Sequence, residues 1–257
     1  MNETITLTFG DAGENHIGME IIGEKGNIGS GFNKLELKNI RKEFKKLNYE
    51  TKLYNLNKLV NENTSCASLL VIKDGLKYFL GKSKIDDMFK ELTSFEWDKK
   101  YYDTRRKKVL NKRARENVCF GEINQKPDYI NKKGTIIAYD DLPLLKKVKN
   151  KLPLIIGEKG NKLICEGNRY FDISKCGIGW HGDGERKKVI AIRLGVTLPL
   201  KFQWFHQNKP IGSILNIEVK NGDMYIMSEY ATGYNWKKSS LYSLRHCAGS
   251  EKYTKPK

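Results

Sequence analysis

Residues 167–186 read GNRYFDISKCGIGWHGDGER, and this stretch opens the part of the chain from which we infer the fold. From about residue 162 onward, short apolar runs are separated by Gly, Asn-Lys or Asn-Gly turns. The predicted strands cover about 162–165, 168–173, 188–196, 198–205, 213–219, 223–227 and 241–247. Many short strands without intervening helices are typical of a β-barrel or β-sandwich.

The chain before this stretch mixes helical and strand patterns. Apolar residues at helical spacing predict amphipathic helices over 35–48 and 142–152, and Ser83 is a candidate N-cap for another over 85–92. Leu69–Ile72 and Leu76–Leu80 flank Lys73-Asp74-Gly75, which predicts a β-hairpin. We therefore expect an α+β protein, with a mixed α/β extension over residues 1–95 and a β-rich domain with flanking helices over 96–257.

Composition narrows the class of protein. The 257 residues carry 47 Lys+Arg against 30 Asp+Glu, a net charge of +17, and 39% are hydrophobic, which favours a folded core over disorder. No apolar run is long enough to span a membrane, and the start lacks the basic and apolar regions of a secretory signal. The five cysteines form no C-x-x-C pair, which favours free thiols in a reducing compartment. We expect an intracellular protein, in the cytoplasm or nucleus, that is not secreted and not in a membrane.

Many of the cations fall in one short segment. Residues 105–115 hold no acid and seven basic residues, namely Arg105, Arg106, Lys107, Lys108, Lys112, Arg113 and Arg115. Trp97, Tyr101 and Tyr102 precede them. Cations can neutralise phosphates while aromatic rings stack on bases, so we expect DNA or RNA as a partner. The alternative is a solvated basic face of a helix.

His181 and Asp183 are the strongest candidates for chemistry. On a strand, side chains two residues apart face the same side, so the imidazole and the carboxylate can converge on one cation. One more histidine from a distant strand would complete the set of two histidines and one carboxylate that leaves open positions on iron(II). We favour His246, on the last predicted strand, over His206 and His16.

The same segment contains a G-x-G-x-x-G at Gly177, Gly179 and Gly182. In a dinucleotide-binding motif these glycines open a helix and an acid follows about 20 residues later. Here residues 187–194 read as a strand, and Lys201 and Phe202 occupy the place of the acid. We therefore reject a dinucleotide site.

Over about residues 120–250 the sequence resembles the AlkB-like family of iron(II)- and 2-oxoglutarate-dependent dioxygenases. The most specific match is Asn168-x-Tyr170 followed by Gly-Ile-Gly-Trp-His-x-Asp-x-Glu over 177–185. Further matches are Pro127-Asp128-Tyr129, Arg193-Leu194-Gly195 and the Gly-Asp strand at 221–227.

The resemblance implies a fold, two cofactors and a set of roles. It implies a double-stranded β-helix (jelly-roll, cupin-like) core, with iron(II) held by the metal ligands and 2-oxoglutarate in contact with Asn168 and Tyr170. It also implies that Trp180 and Glu185 stand where a substrate base enters. The activity implied is hydroxylation or oxidative demethylation of a nucleic-acid base.

The sequence departs from the family pattern at its C-terminal end. Trp236 stands at the usual position of the third ligand. The family has two arginines that hold the 2-oxoglutarate carboxylates, and only one of them has a counterpart in this sequence, Arg245. Neighbours on a strand point to opposite faces, so Arg245 and His246 cannot both face the interior without a bulge. If His246 is the ligand, another cation, Lys252 or Arg193, must bind the far carboxylate.

If Arg245 faces inward instead, the third ligand is missing or comes from elsewhere, and the enzyme is degenerate. Two other functions stay open beside a nucleic-acid dioxygenase. One is an iron(II)/2-oxoglutarate protein hydroxylase, since the same ligand set serves that chemistry. The other is a catalytically degenerate nucleic-acid-binding protein on the same fold.

Overall fold

A computed structural model describes residues 2–255 and shows an α+β protein in which strands predominate. The strands are β1 Thr4–Gly10, β2 Ala12–Glu14, β3 Ile21–Gly23, β4 Thr51–Asn55, β5 Ser68–Ile72, β6 Lys100–Asp103, β7 Lys108–Asn111, β8 Glu116–Gly121, β9 Ile136–Ala138, β10 Ile164–Tyr170, β11 Gly177–His181, β12 Val189–Gly195, β13 Leu198–His206, β14 Lys209–Val219, β15 Met224–Met227 and β16 Ser243–Gly249. The α-helices are α1 Lys34–Lys46, α2 Leu76–Leu80, α3 Ile85–Thr93, α4 Pro143–Ile156 and α5 Glu251–Thr254. Short 3-10 helices cover Leu56–Leu59, Lys82–Lys84, Tyr139–Asp141, Glu158–Gly160 and Glu229–Thr232.

Most strands belong to one of two sheets. The larger has the order β4-β5-β15-β12-β1-β10-β8-β9 and is antiparallel except for the pair β8–β9. The smaller has the order β11-β16-β13-β14 and is antiparallel throughout. The pairs β2–β3 and β6–β7 form separate two-stranded hairpins.

The larger sheet lies between a helical layer and the smaller sheet. Because side chains alternate along a strand, Ile190, Ile192 and Leu194 of β12 pack with the apolar sides of α1 to α4. Val189 and Ala191 of the same strand face the other way and share a core with residues of β13 and β16. The space between the two sheets therefore holds a second core, and the candidate site lies in this space.

The N-terminal strand is part of the centre of the fold. β1 lies between β10 and β12, and all seven of its residues are buried. β5 pairs with β15, so a second N-terminal strand joins the same sheet. The boundary predicted between residues 95 and 96 thus runs through one sheet. The strict alternation of Thr with Ile, Leu and Phe over residues 4–9 is the sequence signal for this strand.

The long helices and the later strands follow the sequence pattern. The helix predicted over 35–48 is α1, which begins with a capping box between Asn33 and Glu36, and the helix predicted over 142–152 is α4. Strands predicted from residue 188 onward are confirmed with shifted ends, as β12 to β16. Among residues 2–255, no helix combines the length and the apolar character needed to cross a bilayer.

Some local predictions are wrong. Leu76–Leu80 is the helix α2, because Leu76, Phe79 and Leu80 bury one helical side against the core, so no hairpin forms with β5. The strands predicted at 162–165 and 168–173 are the single strand β10. Ser83 does not cap α3, which follows Lys84 without a side-chain cap.

The helical alternative for the basic segment is also wrong. β6 and β7 pair through a tight turn at residues 104–107, so these residues form a hairpin. The carboxylate of Asp103 accepts a hydrogen bond of 2.7 Å from the amide of Arg106 and closes the turn. We call residues 100–111 the basic hairpin below.

Candidate metal centre

His181, Asp183 and His246 meet in one cluster. β11 ends at His181, Asp183 follows two residues later in the loop, and β16 places His246 directly opposite His181. One carboxylate oxygen of Asp183, Oδ1, lies 3.7 Å from Nε2 of each histidine. The possible ligand atoms of the three residues all lie within 4.8 Å of one another. Two imidazoles and one carboxylate therefore converge as a divalent metal ion requires.

The contacts around the histidines leave their Nε2 atoms available. Nδ1 of His181 lies 2.7 Å from the carbonyl oxygen of Gly179. A carbonyl oxygen can only accept, so Nδ1 carries the proton and Nε2 is free to bind a metal. Nδ1 of His246 is buried and has no hydrogen-bond partner among the described residues. The residue that joins His181 and Asp183 in the cluster is thus His246, the histidine favoured from the sequence.

The close approach of two loops explains why residue 182 is a glycine. A Cβ at residue 182 would lie 2.1 Å from the carbonyl oxygen of Gly233, so any side chain there would collide with the loop after β15. The amide of Asp183 donates to the carbonyl oxygen of Thr232 at 2.8 Å, which ties the two loops together. The glycine therefore allows two backbones to approach, and this contact holds Asp183 in position.

Electrostatics keep His181 and Asp183 in the protonation states that metal binding needs. Burial, and the neighbouring His246, lower the pKa of His181 to about 3. Burial alone would raise the pKa of Asp183, but His246 and Arg186 outweigh it and hold the pKa below its usual range. At neutral pH, His181 is thus neutral and Asp183 is ionised.

Arg186 supports the cluster from behind. Its guanidinium lies 4.0 Å from Asp183 and 3.4 Å from Glu185, and it forms a buried ion pair with Glu166. Its Nε donates to the carbonyl oxygen of Ala12 at 2.7 Å. Arg186 therefore links the metal-ligand loop to β10 and to the N-terminal chain, a role that the sequence analysis missed.

The cluster lines a cavity of about 650 Å³, and four of the residues predicted near it line the same cavity. Asn168 and Tyr170 of β10 form part of its wall, and Trp180 and Glu185 also line it. The Asn168 amide is held at both ends: Oδ1 accepts from Nε of Arg115 at 2.6 Å, and Nδ2 donates to Glu166 at 3.0 Å. Burial raises the pKa of Glu185 to about 7 against the opposing charge of Arg186.

Two cations line this cavity in different ways. Arg115, predicted to contact nucleic acid on the surface, instead lines the cavity next to Asn168. Arg193 of β12 is 1% exposed, and its Nε and Nη1 atoms have no hydrogen-bond partner among the described residues. Thr6 of β1 lines the same wall, and its hydroxyl also lacks a partner among them. Neither Thr6 nor Glu166 was singled out from the sequence.

Arg245 does not line the cavity. Its guanidinium stacks on Phe205 at 4.4 Å and lies 5.3 Å from the ring of Trp236. Nη2 donates to Asn208 at 2.7 Å. Strand alternation turns Arg245 away because its neighbour His246 faces inward, so the structure does not bring Arg245 to the predicted cosubstrate pocket. The other cation considered, Lys252, lies over the ring of Tyr253 on the short helix α5.

The remaining histidines lie apart from the cluster. His206 stacks on Tyr242 with ring centroids 4.4 Å apart. His16 lines the cavity and stacks on Tyr101 of the basic hairpin at 3.6 Å. Burial lowers the pKa of His16 to about 4. Trp236, at the family position of the third ligand, lines the cavity without joining the cluster.

The basic segment divides into an exposed and a buried part. The five exposed side chains are Arg105, Arg106, Lys107, Lys108 and Arg113. Lys112 is half-buried, and burial lowers its pKa to about 8. Trp97 is buried and donates to the carbonyl oxygen of Leu92 at 2.9 Å, so it cannot stack on a base as expected. The contact between Tyr101 and His16 joins the basic hairpin to the cavity.

Comparison with known proteins identifies a relative of similar length. No protein-family model matches the chain. The chain is 42% identical over 259 residues to "Uncharacterized protein R156" of Acanthamoeba polyphaga mimivirus. The alignment covers 99% of both proteins, so it includes the N-terminal strands as well as β11 and β16.

Proposed function

We propose that this chain, which belongs to one family with the uncharacterized mimivirus protein, is an iron(II)- and 2-oxoglutarate-dependent dioxygenase acting on a nucleic-acid base. The observation that carries the proposal is the cluster of His181, Asp183 and His246 on the wall of a large cavity. Such a set binds one side of iron(II) and leaves positions for a cosubstrate and oxygen. The reaction proposed is hydroxylation or oxidative demethylation.

The proposed fold is a double-stranded β-helix. Two facing sheets with a core between them support it, as does the position of both histidines on neighbouring strands of the smaller sheet. In this arrangement the cavity lies between the sheets, where side chains of the larger sheet face the metal ligands.

The donor atoms fit iron(II). Neutral imidazole and carboxylate ligands suit this metal, and the low pKa values of His181 and Asp183 keep both ligands free of competing protons. When bound, iron(II) with 2-oxoglutarate and oxygen would supply the oxidation of a substrate C–H bond.

The chain's own residues bind and orient the reactants. Asn168, fixed by Arg115 and Glu166, and Tyr170 form the wall proposed to contact 2-oxoglutarate. Trp180 is held by a hydrogen bond of 3.3 Å from its indole N–H to the carbonyl oxygen of Lys255, and its ring lines the cavity. A base entering the cavity would contact Trp180 and Glu185.

The position of the basic hairpin supports DNA or RNA as the substrate. Its cations Arg105 to Lys108 are exposed at the turn between β6 and β7, so they are available to phosphates. Because Tyr101 stacks on His16, which lines the cavity, a nucleic-acid strand bound to the hairpin would lie near the cavity. The target base would then be flipped out or already single-stranded.

The test is anaerobic addition of iron(II) and 2-oxoglutarate, followed by visible absorbance. We expect the charge-transfer band of a metal-bound 2-oxo acid in the natural protein and no band in His181→Ala. Absence of the band in the natural protein would overturn the enzyme proposal.

Turnover then separates the substrates. We expect single-stranded oligonucleotides carrying N-methylated bases to stimulate succinate formation from 2-oxoglutarate. Succinate formation that oligonucleotides neither stimulate nor inhibit would favour a protein hydroxylase. Salt-sensitive oligonucleotide binding without any iron-dependent succinate would favour a degenerate binding protein.

A further inference from the structure

A buried arginine without an anionic partner forms part of the cavity wall. Arg193 is 1% exposed, and two of its guanidinium nitrogens have no hydrogen-bond partner in the part of the chain that the structure describes. Asp223, whose backbone pairs with that of Arg193, directs its carboxylate to Lys73 at 2.6 Å instead. Burying a guanidinium with unpaired N–H groups is unfavourable, so an anion bound in the cavity would stabilise Arg193.

The strand register places a row of polar side chains beside this arginine. Thr6 of β1 lies opposite Arg193 on one side and opposite Asn168 on the other. Asn117 of β8 continues the row, opposite Asn168. Residues directly opposite each other project from the same face of a sheet, so these side chains stand together. Arg193, Thr6 and Asn168 all line the cavity.

The hydrogen bonds within the row are unevenly distributed. The amide of Asn168 is used by Arg115, Asn117 and Glu166. Glu166, the acid on this face of β10, is itself paired with Arg186. Arg193 and the hydroxyl of Thr6 are left as neighbouring donors without acceptors. A guanidinium beside a hydroxyl matches a carboxylate, which can accept from both.

We propose that Arg193 and Thr6 bind the carboxylate of the cosubstrate that lies remote from the metal. The inference rests on the proposed function, because it takes the other end of the same molecule to be bound at the cluster of His181, Asp183 and His246. The ligand class is a 2-oxo dicarboxylate. We call Arg193 and Thr6 the anchor; both belong to the larger sheet, and Thr6 lies on the N-terminal strand β1. Arg245 does not line the cavity and packs instead against the rings of Phe205 and Trp236.

The experiment compares two 2-oxo acids on protein loaded with Mn(II), a redox-stable substitute for iron(II). Isothermal calorimetry measures binding of 2-oxoglutarate and of 2-oxopentanoate, which has a methyl group in place of the far carboxylate. We expect the natural protein to bind 2-oxoglutarate about 100-fold more tightly, as for a buried charge pair. Arg193→Met should lower the affinity for 2-oxoglutarate about 100-fold and leave the affinity for 2-oxopentanoate unchanged.

Two milder variants and one matched control complete the test. Thr6→Val keeps the shape of the side chain and should lower the affinity for 2-oxoglutarate about 10-fold. Arg193→Lys keeps the charge, and its affinity for 2-oxoglutarate should lie between those of the natural protein and Arg193→Met. This milder variant still tests the proposal if Arg193→Met does not fold. Arg245→Met removes a buried cation outside the cavity and should leave the affinity for both acids unchanged.

The outcomes separate the anchor from the metal centre. Mn(II) binding alone is measured for each variant, and Asp183→Asn should lose the metal and both acids. If the natural protein binds Mn(II) but does not distinguish the two acids, the anchor is wrong and the metal centre stands. A loss of 2-oxoglutarate affinity in Arg245→Met with none in the Arg193 variants would also overturn it. If Mn(II) does not bind, the proposed function fails and the anchor with it.

Discussion

His246 stands opposite His181 across a single strand pair, so the candidate metal centre depends on how β11 pairs with β16. The register between these strands is irregular between Ile178 and His181, where the pairing shifts. Beyond the shift, the two imidazoles lie with ring centroids 4.4 Å apart. The same pairing turns the neighbouring Arg245 to the opposite face, which is why the ligand and the arginine cannot both serve the cavity.

Replacing His246 tests the third ligand directly. We expect His246→Ala to weaken Mn(II) binding by more than about 100-fold, because even the loss of an outer-sphere partner costs up to that factor. His206→Ala is the matched control, since His206 stacks on Tyr242 outside the cluster, and it should bind Mn(II) normally. Calorimetric titration with Mn(II) measures both. Equal affinities for the two variants would contradict the assignment.

His16 should make stability depend on pH. Its pKa is lowered from 6.5 to about 4 by burial, so the unfolded chain binds a proton at a higher pH than the folded chain does. Stability is therefore complete above about pH 6.5 and is lost as the pH falls toward 4. We expect a loss of about 1–2 kcal/mol, reduced by the partial solvation of the ring.

The variant His16→Phe isolates this contribution. Phenylalanine can keep the stacking on Tyr101 and cannot titrate. Urea denaturation of metal-free protein at pH 7 and pH 4.5 should show a smaller pH dependence in the variant than in the natural protein. Both proteins contain His181 and the same carboxylates, so the contributions of these groups cancel when one pH dependence is subtracted from the other. Parallel pH profiles would show that the His16 pKa is not lowered.

At the scale of elements, the basic hairpin is the surface that we propose contacts nucleic acid. Residues 104–108 are exposed at its turn, and the hairpin joins the cavity through Tyr101 and His16. Replacing Arg105, Arg106, Lys107 and Lys108 by Gln should weaken oligonucleotide binding and reduce the slope of log affinity against log salt by about 2–3. Fluorescence anisotropy at several salt concentrations measures the slope.

The control for the hairpin is a helix of equal charge in another layer. Lys38, Lys42, Lys45 and Lys46 are exposed on α1, which packs on the face of the larger sheet remote from the cavity. The same four-fold replacement by Gln there lowers the net charge equally. It should leave the salt slope nearly unchanged. Equal losses in both variants would mean that only the net charge matters.

At the scale of the whole molecule, the N-terminal strand β1 holds the two halves of the larger sheet together. β1 pairs with β10 and β12, and Ile5, Leu7 and Phe9 are fully buried. Removing residues 1–95 would separate two strands at the centre of the larger sheet and expose its core. We expect residues 96–257 alone to show no cooperative thermal unfolding by circular dichroism, unlike the whole chain. A cooperative transition in the fragment would establish an independent domain.

Ligands bound between the two sheets should stabilise the whole molecule. The cluster belongs to the smaller sheet and its following loop, whereas Arg193 and Thr6 belong to the larger sheet. A ligand at about 100 times its dissociation constant adds about 2.7 kcal/mol, which corresponds to roughly 5–10 °C in Tm at this size. We expect Mn(II) with 2-oxoglutarate to raise Tm by this amount. Asp183→Asn, which removes one metal ligand, should show no rise.

Much of the fold and part of the site could be predicted from the order of residues. Helices α1 and α4 and the strands from β12 onward follow from their apolar periodicity. The joining of His181 with Asp183 follows from their spacing, because residues so close along the chain cannot be far apart. Alternation also predicted that His246 and Arg245 face opposite ways. Which of these two side chains points into the cavity depended on which face of β16 turns toward it.

By itself, the sequence determined the local elements and the close pair of candidate metal ligands, His181 and Asp183. Only the tertiary structure decided what those elements meet. β1 lies at the centre of the larger sheet, His246 lies opposite His181, and Arg193 stands beside Thr6 in the cavity. The last of these contacts joins residues 187 positions apart, Thr6 and Arg193. Local periodicity sets which face of a strand is apolar, whereas the partner of that face is set by packing the whole chain around a shared core.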